Sequence, residues 1–193
     1  MKKKLLERIN ANLVVIDVQP AYDFYCRKIV RRVANLLNRQ LGKKIIYYNG
    51  QGQTSDDMGD VIDYLCENGL EPDKIDDISF YEKEYGFFRG YMDAGISNNI
   101  IIKVIRAMYQ FRVHDSRDLD LKVILSPKEF SIIQDYASYD PIYLPWAIDI
   151  LELRNMSPFY LCGGSSDACL LEIELLCNAL NIKYKKISNL IYK

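Results

Sequence analysis

Residues 12–18 read NLVVIDV, a short and mostly β-branched apolar run without alternating polar positions. Such a run is typical of a strand that is buried on both faces, as in a parallel sheet. Apolar residues follow at helical spacing over 28–41, and a second apolar run, KIIYYN, occupies 44–49. A second helical stretch covers 58–68 and ends at Gly69. This βαβα beginning predicts right-handed crossovers and a parallel sheet.

The rest of the chain continues to alternate between strands and helices. Predicted strands cover 78–81, 122–125, 159–162 and 183–187, and predicted helices cover 99–112, 127–136, 145–155 and 168–180. No repeat or low-complexity linker interrupts this pattern, so we predict a single domain over 1–193. The expected fold class is α/β, with three layers (α/β/α) around a mostly parallel sheet of Rossmann-like topology.

Composition is that of an ordinary globular protein. Of the 193 residues, 49% are apolar and 26% are charged, and the formal net charge is −1. No stretch is long enough to span a bilayer and no secretory leader is recognised, so we expect reduced thiols and a cytoplasmic location. The basic runs at 2–4 and 27–32 lack an accompanying aromatic pattern, which favours solvated surface over nucleic-acid contact. The expected partner is a small-molecule substrate, with no nucleic acid and no membrane.

A Gly/Ser-rich turn between a predicted strand and a predicted helix has the strongest chemical signal. Residues 161–169 read LCGGSSDAC, so Cys169 lies in the first helical turn and Asp167 is placed to cap it. The helix dipole lowers the pKa of a thiol at this end, and unpaired N–H groups there can bind an oxyanion. The alternative is a small buried side chain, as most free cysteines are. The remaining cysteines fall within predicted regular elements and are expected in the core: Cys26, Cys66, Cys162 and Cys177.

The sequences at the ends of two predicted strands resemble motifs of the isochorismatase-like cysteine hydrolase superfamily. The first strand ends in VVIDVQ at 14–19, and the late strand runs into GGSSDAC at 163–169 with matching spacing. In that family the first strand ends in an Asp, often followed one residue later by Gln, and the late loop ends in Asp-any-Cys. This chain departs from the family at Gly164, where Val or Ile is usual.

The resemblance implies roles for the residues at these two positions. Asp17 would exchange the proton and Cys169 would be the nucleophile, with the main-chain N–H groups of Ser165 and Cys169 as the oxyanion hole. It also implies a cis peptide bond between Gly164 and Ser165. Such a bond costs about 2.5–4 kcal/mol outside proline, so it would be a functional feature.

A lysine completes the catalytic set of the family, and two positions compete for this role. Residues 82–88 read EKEYGFF, which resembles the family pattern Lys-x-x-Tyr-Ser-Ala-Phe and favours Lys83. Lys128 lies nearer to the spacing that is usual in the family and is the reserve candidate. The choice of Lys83 makes 94–143 an atypical inserted segment. We expect that segment to form a helical layer that covers the pocket or makes a contact in a homo-oligomer.

The resemblance also assigns substrate contacts. Gln19, Tyr85, Phe87 and Phe88 are the candidates for binding a planar substrate. A position in the core is the alternative for the two phenylalanines.

By this resemblance, the expected function is hydrolysis of a small amide or related C–N bond through a thioester, without a cofactor. Nicotinamidase relatives hold a metal with one Asp and two His residues, whereas this chain has His114 as its one histidine. No catalytic metal is therefore expected. The competing hypothesis is a non-catalytic binding or assembly protein on the same scaffold, because a fold does not determine a function.

Overall fold

The structure is a computed structural model that describes residues 10–50, 55–83, 88–137, 141–144 and 147–192. These residues form a five-stranded sheet of β1 (Asn12–Ile16), β2 (Lys44–Asn49), β3 (Ile78–Lys83), β4 (Phe159–Gly163) and β5 (Tyr184–Lys186). All neighbouring strands are parallel, in the order β3-β2-β1-β4-β5. The predicted α/β class with a parallel sheet is confirmed, and the arrangement is consistent with three layers.

Helices account for most of the remaining described residues. They are α1 (Asp23–Cys26), α2 (Val30–Arg39), α3 (Met58–Glu67), α4 (Arg89–Asp93), α5 (Asn98–Phe111), α6 (Leu121–Ile124), α7 (Pro127–Ala137), α8 (Ala147–Met156) and α9 (Cys169–Leu180). Short 3-10 turns lie at Pro20–Tyr22, Pro72–Asp77, Ser116–Asp118 and Ser188–Leu190. The helices predicted from apolar spacing agree with these bounds to within about two residues.

The strand predicted over 122–125 is wrong, because these residues lie in and just after α6. The Asp120 carboxylate accepts a hydrogen bond of 3.1 Å from the Lys122 N–H, which caps the helix. The Leu125 N–H donates to the Leu121 carbonyl at 3.0 Å. A run of four residues, three of them apolar, has no periodicity that distinguishes a strand from one helical turn.

Contacts divide the described residues into two compact units. Those within 1–85, 156–171 and 183–193 form the first unit, and those within 86–155 and 172–182 form the second. The whole sheet belongs to the first unit. Segment 94–143 falls within the second unit, and its described elements are mainly helical. The single-domain organisation and the role of this segment stay predictions.

Burial on both faces explains why the first strand shows no alternation. Leu13 and Val15 lie in a core cluster with residues of α2 and α3. Val14 and Ile16, which point to the opposite face, are also fully buried. A buried aliphatic side chain stabilises the fold by about 1.5–3 kcal/mol, so an apolar residue is favoured at each of these positions.

Gly163 of β4 lies very close to the backbone of β1. Its φ is +74°, and a Cβ atom there would lie 2.3 Å from the main-chain oxygen of Ile16. Gly95 has nearly the same φ of +71°, but a Cβ atom there would meet nothing within 4 Å. A comparison of alanine substitutions at the two glycines therefore distinguishes the cost of a left-handed backbone from the cost of a steric clash.

We expect Gly163→Ala to lower the free energy of unfolding by roughly 2–5 kcal/mol, because strain and clash add. Gly95→Ala should cost only about 1–2 kcal/mol, from the left-handed backbone alone. Urea unfolding of both variants at one pH measures the two values. Equal losses at the two positions would show that the sheet yields at Gly163 and that the close approach is not restrictive.

Candidate active site

A buried ion pair lies at the carboxyl edge of the sheet. The Lys83 Nζ is 2.7 Å from the Asp17 Oδ2, and the two side chains are 3% and 0% exposed. Lys83 ends β3 and Asp17 follows β1, with β2 between them. The two side chains together bridge two strand spacings, or roughly 10 Å. Of the two candidate lysines, Lys83 therefore pairs with Asp17, while Lys128 is exposed on α7. Convergence of the Asp17 carboxylate and the Lys83 ammonium on the Cys169 sulfur stays a prediction.

Asp17 has a left-handed backbone, with a φ of +47°. Its N–H donates to the Tyr47 carbonyl at 2.8 Å, and its own carbonyl accepts from the Tyr192 hydroxyl at 3.0 Å. Asp tolerates this conformation better than most residues, yet it persists only where the surroundings hold it. The two bonds to the Asp17 main chain therefore hold its backbone in this conformation.

One oxygen of this carboxylate has no hydrogen-bond partner. The Asp17 Oδ1 is buried and makes no hydrogen bond to any part of the chain that the structure describes. A buried acceptor left in this state costs about 1–3 kcal/mol, and a charged one costs more. The Asp17 Oδ1 lies at the carboxyl edge of the sheet, where a thiol or a substrate could donate a proton to it.

The loop that connects β4 to Cys169 begins beside Asp17. Ile16 pairs with Gly163 in the β1–β4 register, so the ends of these two strands are neighbours. The strand order reverses at β1, and ligands of open α/β sheets bind at the carboxyl ends of strands at such a point. Cys169 is the first residue of α9 and is partly exposed.

Hydrogen bonds within this loop hold the start of α9. The Ser165 carbonyl accepts from the N–H groups of Ala168 at 3.3 Å and Leu170 at 3.1 Å. The Ser165 hydroxyl donates to the Asp167 carboxylate at 2.5 Å. These bonds set the approach of the chain to Cys169. The oxyanion-binding role of the Ser165 and Cys169 N–H groups stays a prediction.

The predicted cis bond between Gly164 and Ser165 is wrong. Within the described ranges the cis peptide bond is Ser157–Pro158, so the Gly164–Ser165 bond is trans. Gly163 and Gly164 both have a left-handed φ, of 74° and 64°. Two consecutive glycines can turn the chain in this way without an isomerised bond, because they lack a Cβ atom.

Tyr192 connects the loop with Asp17 and was not predicted from the sequence. Its N–H donates to the Gly164 carbonyl and its carbonyl accepts from the Ser166 N–H, both at 3.2 Å. Burial raises the pKa of Tyr192, and the charges of Asp17 and Cys169 raise it further. No local pattern around residue 192 indicates this contact.

Gln19 joins the ends of β1 and β2. Its Nε2 donates to the Asn49 carbonyl at 3.0 Å and to the Asp56 carboxylate at 2.6 Å. Its Oε1 accepts from the Asn49 N–H at 2.7 Å, and the side chain is fully buried. All of these bonds go to the protein itself, so they hold the two loops together. The predicted contact of Gln19 with a substrate stays a prediction.

The aromatic candidates for the pocket wall are only partly described. Tyr85 and Phe87 lie outside the described residues. Phe88 is 1% exposed, and its N–H donates to the Glu172 Oε1 at 3.2 Å within the second unit. This burial fits the alternative interpretation of Phe88 as a core residue.

Burial distinguishes the other thiols from Cys169. Cys26, Cys162 and Cys177 are fully buried, whereas Cys66 and Cys169 are partly exposed. Desolvation raises the pKa of Cys177 to about 12 and also raises the pKa of Cys26 and Cys66. A raised pKa reduces the thiolate fraction near neutral pH, and the thiolate is the reactive form.

We therefore expect Cys169 to be alkylated first when iodoacetamide is limiting near neutral pH. Peptide mapping by mass spectrometry measures the order of labelling. Cys66 is the matched comparison, because it is partly exposed but has a raised pKa. Faster labelling of Cys66, Cys26 or Cys177 would contradict the assignment of Cys169 as the reactive thiol.

Among the described residues, no helix is both long and apolar enough to cross a membrane. No group of three or more His, Cys, Asp or Glu side chains in the same ranges could hold a metal ion. The absence of a catalytic metal stays a prediction.

No model of a known protein family matches the chain, and neither does the sequence of any curated protein.

Proposed function

We propose that the chain is a cysteine hydrolase that cleaves a small amide or related C–N bond through a thioester on Cys169. The proposal rests on the resemblance of VVIDVQ and GGSSDAC to the isochorismatase-like hydrolases. One observation supports it most strongly. The buried Asp17–Lys83 pair leaves the Asp17 Oδ1 without a partner among the described residues, beside the loop that leads to Cys169.

The chemistry needs a proton acceptor first and a proton donor later. Asp17 takes the proton from the Cys169 Sγ, and the thiolate adds to the substrate carbonyl carbon. The N–H groups of Ser165 and Cys169 would stabilise the resulting oxyanion. The C–N bond then breaks as Asp17 returns the proton to the leaving nitrogen. Water attacks the thioester with Asp17 as base, which releases the acid and restores the thiol.

Lys83 supports this cycle through Asp17. An ammonium at 2.7 Å supplies the counter-charge for the carboxylate that accepts the thiol proton. The pair is nearly excluded from water, so the attraction is screened less than at a surface. Lys83 would also stabilise negative charge that develops at the site during thiol ionisation.

The second candidate function is a non-catalytic binding or assembly protein on this scaffold. The observation in its favour is the loop itself, because Gly164 is left-handed and its bond to Ser165 is trans. This departs from the loop geometry that the resemblance implies. A family member that has lost catalysis would tolerate such a change.

A panel of small primary amides, carbamoyl compounds and ureides, assayed with a chelator present, tests the proposed function. We expect release of ammonia from at least one compound and an acyl adduct on the Cys169 peptide after rapid acid quenching. The chelator should leave the rate unchanged. Failure of the whole panel, together with slow alkylation of Cys169, would favour the non-catalytic candidate.

A further inference from the structure

A cavity lies near the candidate site within the first unit. It has a volume of about 470 Å³ and is lined by residues of the 24–32 segment and of the C-terminal segment. Asp17, Lys83 and Cys169 do not line it. Tyr192 does, and the hydroxyl of Tyr192 donates to the main chain of Asp17. The cavity is therefore separate from the candidate site but shares one residue with its surroundings.

Exposed aromatic rings form one side of this cavity. Phe24 is 75% exposed and Tyr25 is 52% exposed, which is unusual for rings that adjoin each other. Their centroids are 5.3 Å apart in an edge-to-face contact. Tyr25 also stacks on Tyr192, with centroids 6.1 Å apart and planes 22° apart. A flat ligand could bury this surface by stacking.

Positive charge lies next to the rings. Arg27, Lys28 and Arg32 line the cavity, and none of its described lining residues is acidic. None of the three cations forms an ion pair with a described residue. The Arg27 guanidinium lies 5.6 Å from the centroid of the Phe24 ring. Charge without a counter-charge in the cavity attracts an anion.

We propose that this cavity binds a planar ring that carries a phosphate, as in a nucleoside monophosphate. The Phe24 ring accepts the base by stacking, and the Tyr25 ring, which is perpendicular to it, contacts the edge of the base. Two guanidiniums and an ammonium match a phosphate monoester, which carries a charge near −2 and several acceptor oxygens. The proposal does not rest on hydrolase activity, because ring and charge recognition require neither Cys169 nor Asp17.

The tertiary structure changes the interpretation of the basic run at 27–32. The run alone favoured solvated surface, because no aromatic pattern accompanied it. The fold brings Tyr192 against Tyr25, so a stack forms from two distant parts of the chain. The cations of the 27–32 run therefore lie next to an aromatic surface in the folded protein.

Isothermal titration of the whole chain with AMP tests this proposal. We expect saturable binding with a Kd below about 1 mM at low salt, weakening as salt is added. Adenosine and inorganic phosphate, titrated separately, should each bind much more weakly, since each supplies only one half of the recognition. A short oligothymidylate tests the macromolecular alternative.

Matched variants locate the binding. Arg32→Ala should weaken AMP binding by about tenfold or more, because a charge-assisted contact is lost. Arg31 is also exposed on α2 but does not line the cavity. Arg31→Ala removes the same charge as Arg32→Ala and should change the affinity for AMP by less than about twofold. Phe24→Ala should weaken binding of AMP but not of inorganic phosphate.

Three outcomes would overturn the proposal. They are no AMP binding, equal losses in Arg32→Ala and Arg31→Ala, and binding of the oligonucleotide without binding of AMP. The last outcome would identify the surface as a contact for single-stranded nucleic acid. None of these results depends on amide turnover, so the hydrolase proposal could fail while this one holds.

Discussion

Replacement of Cys169 by alanine is expected to lower the rate of amide hydrolysis by about 10³-fold or more, because the covalent route is lost. The substrate would be the compound that the amide panel identifies. Alanine removes the sulfur without adding a group that the loop must accommodate, and Cys169 is partly exposed. The protein should therefore fold normally, which circular dichroism and the unfolding midpoint would verify. Initial rates at saturating substrate measure the loss.

Cys66→Ala is the matched control, because Cys66 is the other partly exposed thiol among the described residues. It lies within α3, so its removal should leave the rate within about twofold. A Cys169→Ala protein that retains most of the activity would exclude a thioester on this residue. Activity that is lost in Asp17→Asn but kept in Cys169→Ala would instead indicate that Asp17 activates water directly.

Replacement of Lys83 by methionine is expected to lower the free energy of unfolding by about 3–5 kcal/mol, because it leaves Asp17 buried without its cation. Methionine keeps most of the volume and the linear shape of lysine, so the lost free energy of unfolding measures the effect of removing the charge. Urea unfolding at neutral pH measures it.

The double variant Asp17→Asn/Lys83→Met separates pairing from packing. It should recover a large part of the lost stability, because neither buried charge remains. It should also be inactive, since the carboxylate that exchanges the proton is gone. A double variant no more stable than Lys83→Met would show that the loss comes from packing at the end of β3.

Lys103→Met provides the exposed counterpart of this test. The Lys103 Nζ lies 2.6 Å from the Glu129 Oε1, but the lysine side chain is 48% exposed. A surface pair of this kind contributes only about 0–1 kcal/mol. The two pairs have similar distances, so a much larger loss of stability in Lys83→Met than in Lys103→Met would show that burial, and not proximity, determines how much the Asp17–Lys83 pair stabilises the fold.

Predictions from the sequence succeeded where the signal is local. An uninterrupted apolar run predicts β1, and apolar spacing with a following Gly predicts α3. The same reasoning failed at 122–125, since a segment of four residues with three apolar ones fits a strand and a helical turn equally well. It also failed at Gly164, where the analogy implied a cis bond and the glycines turn the chain by left-handed φ values instead.

The sequence by itself determined the α/β class, the position of Asp17 at the end of a strand and the position of Cys169 at the start of a helix, because periodicity and turn residues act over a few residues. Only the tertiary structure decided that Lys83 reaches across β2 to Asp17, and that Tyr192 contacts both Asp17 and the Gly164–Ser166 segment. These partners are 66 and 175 positions apart in the chain. Their contacts depend on strand order and on the cost of burying an unpaired charge, and neither leaves a pattern in the local sequence.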